Sequence, residues 1–321
     1  MTESLALLVY AAGAGTAGAA MLRAARWTRR APGLGVAAWQ VLSGSILAAV
    51  LLAGLVVVVP AGAASTSLAE FLHACVMALR AQYATPGGAV VHAGGLLLTT
   101  ILAIRTAYLL GSGLRGARRA RAEHLRSLRL VARRDVGLDA LVVDHPAAAA
   151  YCLPGRDATV VLTSSAVAAL VDRELAAVLA HERAHLHGRH HLVAAASAAL
   201  AQALPFVPGL AWARTEQAKL LEMIADDAAA RAGDRLCVAR ALVSLAGVGV
   251  PAAALGAGDI AGVSRVERLM RPAARLGLVP RLAVTAAMTL TALAPVAIAA
   301  TPAVAAAHMQ YCPVSSSGTP T

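Results

Sequence analysis

Aromatic side chains are scarce in this chain: Phe, Trp and Tyr make up 3% of 321 residues, with two Phe in all. Charge is scarce too, at 14% Asp, Glu, Lys and Arg, where soluble globular domains carry about a quarter. Lysine is almost missing, because Lys219 is the only one and every other position in the Lys-plus-Arg count is Arg. That bias reads as the codon usage of a GC-rich bacterium rather than as chemistry. The four cysteines, Cys75, Cys152, Cys237 and Cys312, form no C-x-x-C pair, which argues against a cysteine-built zinc site. An ordinary soluble domain is set aside by these shortages.

What the chain has instead is apolar residues, 59% of the total, and a mean hydropathy of +0.68. A membrane protein is the first reading. The net charge of +11 fits Arg-rich cytoplasmic loops beside anionic lipid. No direct nucleic-acid partner is expected, since no base-reading motif accompanies the charge.

A helix needs about 20 mostly apolar residues to cross a bilayer. Four stretches qualify: Leu5–Leu22, Val36–Ala61, Ala89–Leu110 and Leu282–Val304. The first lacks a basic leader and is followed by Arg, so it reads as a span rather than a signal peptide. Arg23, Arg26, Arg29 and Arg30 place the first loop inside, and the Arg run after Leu110 does the same for the segment that follows. Both termini are then extracytoplasmic, in a bacterial inner membrane. The expected organisation is a three-helix membrane region (1–111), a cytoplasmic domain (112–281), a last span (282–304) and a short outer tail (305–321). The Arg run itself reads as a surface lying on anionic lipid. Within the domain, residues 191–213 are apolar but broken by Pro205 and Pro208, which predicts a membrane-associated helical hairpin. Cys75 and Cys312 share the outer side and are either bonded or free; Cys152 and Cys237 read as small buried apolar residues.

The stretches ALVVDH, AAAYCLP and ATVVLT read as short strands, with Ser164 and Ser165 capping a short helix after them and Asp172 capping the next. Overall this predicts a mainly α membrane protein with a small β-sheet in an α+β cytoplasmic unit. The helix from Asp172 carries His181-Glu182-Arg183-Ala184-His185. Residues four apart share a helix face, so two imidazoles can hold one Zn²⁺, while Glu182 sits beside them as a base. A catalytic zinc takes a third protein ligand, and Glu222 in LLEMIADDAAAR can supply it. Asp226, four further on, can fix a ligand imidazole from behind. His187, His190 and His191 read as cationic groups at the helix end, with polarisation of the substrate carbonyl by one of them as the alternative, and ATVVLT as an edge strand for a substrate.

LVDRELAAVLAHERAH, the Pro-Phe-Val-Pro stretch and the ExxAD of Glu222 to Asp226 together resemble the BlaR/MecR family of membrane zinc metallopeptidases, which are gluzincins. The likeness covers about Arg134 to Arg271 and includes SRVERLMRP from Ser264. The resemblance implies His181, His185 and Glu222 as ligands of one zinc per chain, Glu182 as general base and Asp226 behind them. It also implies a signalling role in which a BlaI/MecI-like winged-helix repressor is the protein substrate. Antibiotic-sensing members carry a penicillin-binding domain after the last span; about 17 residues follow Val304 here, so a member without that sensor is expected. Two other readings compete: an HtpX-like or CAAX-type quality-control or processing protease, against which three spans before the motif speak, and a non-catalytic signalling scaffold, against which the intact Glu182 speaks.

Overall fold

The computed structural model describes residues 2–58, 77, 88–249, 257–271 and 276–310. The chain is mostly helical, with one small mixed sheet. Cys75, Cys312 and most of the expected outer loop and tail lie outside the described residues.

Among the described residues, four helices are long and apolar enough to cross a membrane: Thr2–Ala24, Pro32–Val56, Ala93–Val131 and Leu278–Thr301. The first consists of α1 (Thr2–Gly13) and α2 (Ala19–Ala24) joined by a π-helical turn, Ala14–Gly18. After the short α3 (Trp27–Arg30), α4 (Pro32–Val58) begins on a proline, whose fixed φ suits the first helical position. The third apolar stretch does not stop at Leu110. It continues through the Arg run as one 44-residue helix, α5 (Gly88–Val131), because Ala, Leu and Arg are strong helix formers and no proline interrupts them. At 1.5 Å per residue α5 is about 66 Å long, against about 30 Å of hydrocarbon. Its far end docks on the sheet: Leu128 packs with Leu153 and Val161, and His124 Nε2 lies 2.9 Å from the Tyr151 hydroxyl.

The sheet follows in the order β1 (Arg133–Asp135), β2 (Ala140–Val143), β4 (Thr159–Thr163), β3 (Ala150–Leu153). β2 and β4 are parallel, with Ala140 opposite Val160; the outer pairs are antiparallel, with Arg133 opposite Val142 and Cys152 opposite Val160. The expectation that ATVVLT forms an edge strand is overturned: β4 lies inside the sheet and β3 is the edge. The physical reason is burial on both faces. Val160 and Leu162 face α7 and its neighbours, while Val161 faces the end of α5, and all three are 2% exposed or less. A strand covered on both faces reads as a continuous apolar run, not an alternating one.

The helices after the sheet are α6 (Ser164–Ala169), α7 (Asp172–His187), α8 (His190–Ala203), α9 (Pro208–Ala232), α10 (Arg235–Gly249), α11 (Ala257–Met270) and α12 (Leu278–Gln310). The caps sit one residue earlier than expected. Thr163 Oγ1 accepts from the Ala166 amide at 3.2 Å, and Val171 precedes α7, its amide donating to Glu174 Oε2 at 3.4 Å. Asp172 is thus the first residue of α7 rather than its cap.

The proline-broken apolar segment forms a helical hairpin, α8 and α9, with Pro208 opening the second arm. That arm does not end at 213; it runs unbroken to Ala232 and carries Glu222 and Asp226. Its tip is packed on protein. Leu204, Leu210, Ala213 and Leu220 share a core with Leu7, Trp39 and Ile46 of the first two apolar helices. Gln217, 1% exposed, accepts a hydrogen bond from Gln40 Nε2 of α4 at 2.6 Å. Arg105 of α5 donates to the Gln202 carbonyl at 3.0 Å, satisfying an orphan acceptor at the end of α8. Gly209 meets the π-helical turn at Gly15, and a Cβ at Gly209 would collide with the Gly15 carbonyl. Gly209→Val is therefore expected to destabilise the protein by about 1–3 kcal/mol, the usual cost of overpacking. Thermal unfolding of the purified protein in detergent checks this, and an unchanged midpoint would show that the tip is not seated there.

Candidate metal centre

The centre arises where α7 crosses α9. Leu175, Val178 and Leu179 anchor α7 to the sheet. On the adjoining face, Ala177 of α7 and Ala229 of α9 are buried in one cluster. Alanine there lets the two helices approach closely, which brings the polar residues of both within reach of each other.

His181, His185 and Glu222 converge. His181 Nε2 and His185 Nε2 lie 3.1 Å apart, Glu222 Oε2 is 3.5 Å from His181 Nε2, and Glu222 Oε1 is 3.5 Å from His185 Nε2. Among the described residues these three form a group whose ligand atoms all lie within 4.8 Å of one another. A tetrahedral ion with ligands about 2.0–2.1 Å away would hold them about 3.3 Å apart, so the observed separations fit. Two imidazoles and a carboxylate also form a donor set suited to zinc.

Asp226, 1% exposed, stands behind His181, with Oδ1 3.1 Å from Nδ1. An ionised carboxylate can only accept, so it keeps a proton on Nδ1 and aims Nε2 at the point of convergence. Glu222 and Asp226 are thus brought to the two histidines, and Glu182 lines a cavity together with His181 and Glu222. Burial opposes a charge on His181, but hydrogen bonds to Asp226 and Glu222 outweigh it and hold the imidazole at about 9. Burial, aided by the neighbouring His181, His190 and Arg265 charges, pushes His185 down to about 4 against the pull of Glu222. Burial raises the Glu182 carboxyl above the usual carboxylate range, partly offset by His181. A base so placed is better matched to proton transfer near neutral pH than an exposed glutamate.

Three residues near the centre carry parts that sequence reasoning did not give them. Cys152, expected to be a small apolar residue, lies near Glu182, and burial together with the Glu182 charge pushes its thiol up to about 12, so it stays protonated. His190, 7% exposed, is turned back toward α7 by Arg189, a residue in the left-handed region with φ 48°, and its Nδ1 lies 2.8 Å from His185 Nδ1. The signal available was a histidine just past a helix end marked by Gly188. Arg265, on α11, reaches both acids of α9; the sequence marks only its neighbourhood, SRVERLMRP. His187, by contrast, bonds the Arg183 carbonyl of its own helix at 2.7 Å and stays outside the cluster, as a group at a helix end would.

A cavity of ≈ 250 Å³ opens beside His181, Glu182 and Glu222, walled by Ala150, Ala177, Val178, Val238, Ala241 and Leu245. A larger hollow of ≈ 350 Å³ runs along Leu138, Leu175 and Arg183 and touches none of these groups, so the smaller one is where chemistry can take place.

Two histidines one turn apart on a helix, a glutamate between them and a glutamate from a second helix define the class of helix-borne metal centres found in metallopeptidases. Residues 117–248 match the model of Peptidase family M48. That stretch contains His181, Glu182, His185, Glu222 and Asp226, supports the peptidase reading, and stops short of Arg265. No curated protein and no solved structure matches the chain.

Proposed function

We propose that this chain is an integral membrane zinc metalloendopeptidase, held in a bacterial plasma membrane with its centre on the cytoplasmic face. The observation that carries the reading is the convergence of His181 Nε2, His185 Nε2 and a Glu222 carboxylate oxygen, with Glu182 beside the trio. When bound, zinc supplies Lewis acidity toward a water and toward the scissile carbonyl. Glu182 takes a proton from the attacking water and returns it to the leaving amine, so that peptide plus water gives a carboxylate and an amine. The free edge of β3 offers its unpaired backbone groups to an extended substrate by strand addition, and the adjoining cavity suits an apolar side chain.

Charge and contact support this sidedness. Arg23 pairs with Glu216 at 3.9 Å, and the Arg29 carbonyl accepts from Arg268 at 3.3 Å. The Arg-rich turn between the first two spans therefore lies on the same side as α9 and α11, and such turns are cytoplasmic. The hairpin tip meets Gly15, nine residues before the end of the first apolar helix, which supports a hairpin that dips into the membrane.

In the regulatory reading the substrate is a small winged-helix repressor, which rests on the BlaR/MecR resemblance. The attachment of α9 to the spans favours a second reading, since segments leaving the bilayer would pass close to the site: quality control or processing of membrane proteins. Mass spectrometry of protein termini, from cells producing the native chain or its Glu182→Gln variant, separates them. A cut in a winged-helix repressor that requires the native chain is the expected result. Native-dependent cuts confined to integral membrane proteins would replace regulation with quality control, and no native-dependent cut at all would overturn the peptidase reading.

A further inference from the structure

Arg265 lies on α11, beyond the residues matched to the peptidase family. Its guanidinium reaches three carboxylate oxygens. Nε donates to Asp226 Oδ2 at 2.9 Å and Nη2 to Asp226 Oδ1 at 2.6 Å, while Nη1 lies 2.9 Å from Glu222 Oε2. With the contacts of His181 to Asp226 and Glu222, this closes a ring: His181, Asp226, Arg265, Glu222 and back to His181.

We infer that Arg265 is a positioning residue of the metal centre, fixing the rotamer of Glu222 and holding Asp226 in line with His181; this rests on the zinc reading above. A buried carboxylate is stable only when paired and hydrogen-bonded, and Asp226, at 1% exposure, is held among the described residues by His181 and Arg265. Glu222, at 40% exposure, has room to turn unless one oxygen is held. The planar fork of Arg pairs one face with Asp226 and the remaining nitrogen with Glu222; a Lys offers a single point charge and cannot span both.

The same helix supplies its own control. Arg268, one turn along, makes an equivalent forked pair with Asp227, at 2.9 and 2.7 Å, and anchors α11 to α9 without touching the centre. Removing Arg268 tests docking of α11 alone, whereas removing Arg265 tests docking and positioning together.

The experiment is zinc affinity, by competition with a chelator, on the purified full chain in nanodiscs, beside the visible spectrum of the cobalt(II)-substituted protein. Arg265→Gln is expected to weaken zinc binding by about 10–100-fold, the usual cost of losing a group behind the ligands, and to shift the cobalt bands. Arg268→Gln should keep native affinity and spectrum. Arg265→Lys, a milder change should the Gln variant fail to fold, should show an intermediate loss with an altered spectrum. Native affinity and spectrum in a folded Arg265 variant, or equal losses for Arg265→Gln and Arg268→Gln, would overturn the role of Arg265. A native chain that takes up no zinc would instead end the zinc reading itself, so the two failures are distinct.

Discussion

Glu182→Gln is expected to lower peptide hydrolysis by about 10²–10⁴-fold, the range typical of losing a general base, while zinc content stays at the native level. Gln keeps the size of the side chain, but it cannot take a proton from water. Glu182 lies outside the trio whose atoms converge, so its charge is not needed to hold the ion. Turnover of a peptide substrate and metal analysis of the same preparation check both halves of the expectation. A variant that hydrolyses at the native rate would move the base elsewhere or revive the scaffold reading. A variant that loses its metal would place Glu182 among the ligands.

Glu222→Ala should act in the opposite sense, losing zinc first and activity as a consequence. Two imidazoles from one helix leave an ion short of the three protein ligands usual for catalytic zinc. The loss in affinity should exceed the about 10–100-fold that follows removal of a group behind the ligands. The change also leaves Arg265 facing Asp226 alone. Metal analysis of the variant decides this, since zinc retained at native affinity would remove Glu222 from the centre. A native chain that binds zinc is in turn stabilised against unfolding in proportion to the logarithm of zinc concentration, and the Glu222→Ala chain should show little of that dependence.

Much of this centre was legible in the sequence because its parts obey helical spacing. His181 and His185 are one turn apart, as are Glu222 and Asp226, and i to i+4 is the relation that a single helix guarantees. The four apolar stretches were legible for a similar reason, since length and composition alone define them. The remainder depends on tertiary contact. Arg265 meets Asp226 across 39 positions of sequence, and no period announces such a pair. His190 reaches His185 only because Arg189 adopts a left-handed conformation, an uncommon choice for a non-glycine residue. β1, three charged residues long, has no alternation to betray it. The placement of β4 was readable in part: three consecutive apolar residues, Val160 to Leu162, signal a strand buried on both faces, which an edge seldom is. Pro208 looks like a break in an apolar stretch, whereas at a first helical position a proline is a beginning, and so α9 runs from the hairpin tip to Glu222 without interruption.

That continuity gives the centre its physical setting. One end of α9 is packed among the first two spans through Leu210 and Ala213, and the other carries Glu222 and Asp226. The sheet, which offers the β3 edge, is tied to the third span through α5. Glu222 is thus fastened to the first two apolar helices, while His181 and His185, on α7, sit with the sheet that is tied to the third.

Zinc K-edge X-ray absorption of the purified full chain tests the metal centre most directly. One zinc per chain is expected, with two imidazoles and only nitrogen or oxygen donors at about 2.0–2.2 Å. A chain that binds no zinc, or a thiolate sulfur at about 2.3 Å in its place, would contradict a centre built from His181, His185 and Glu222.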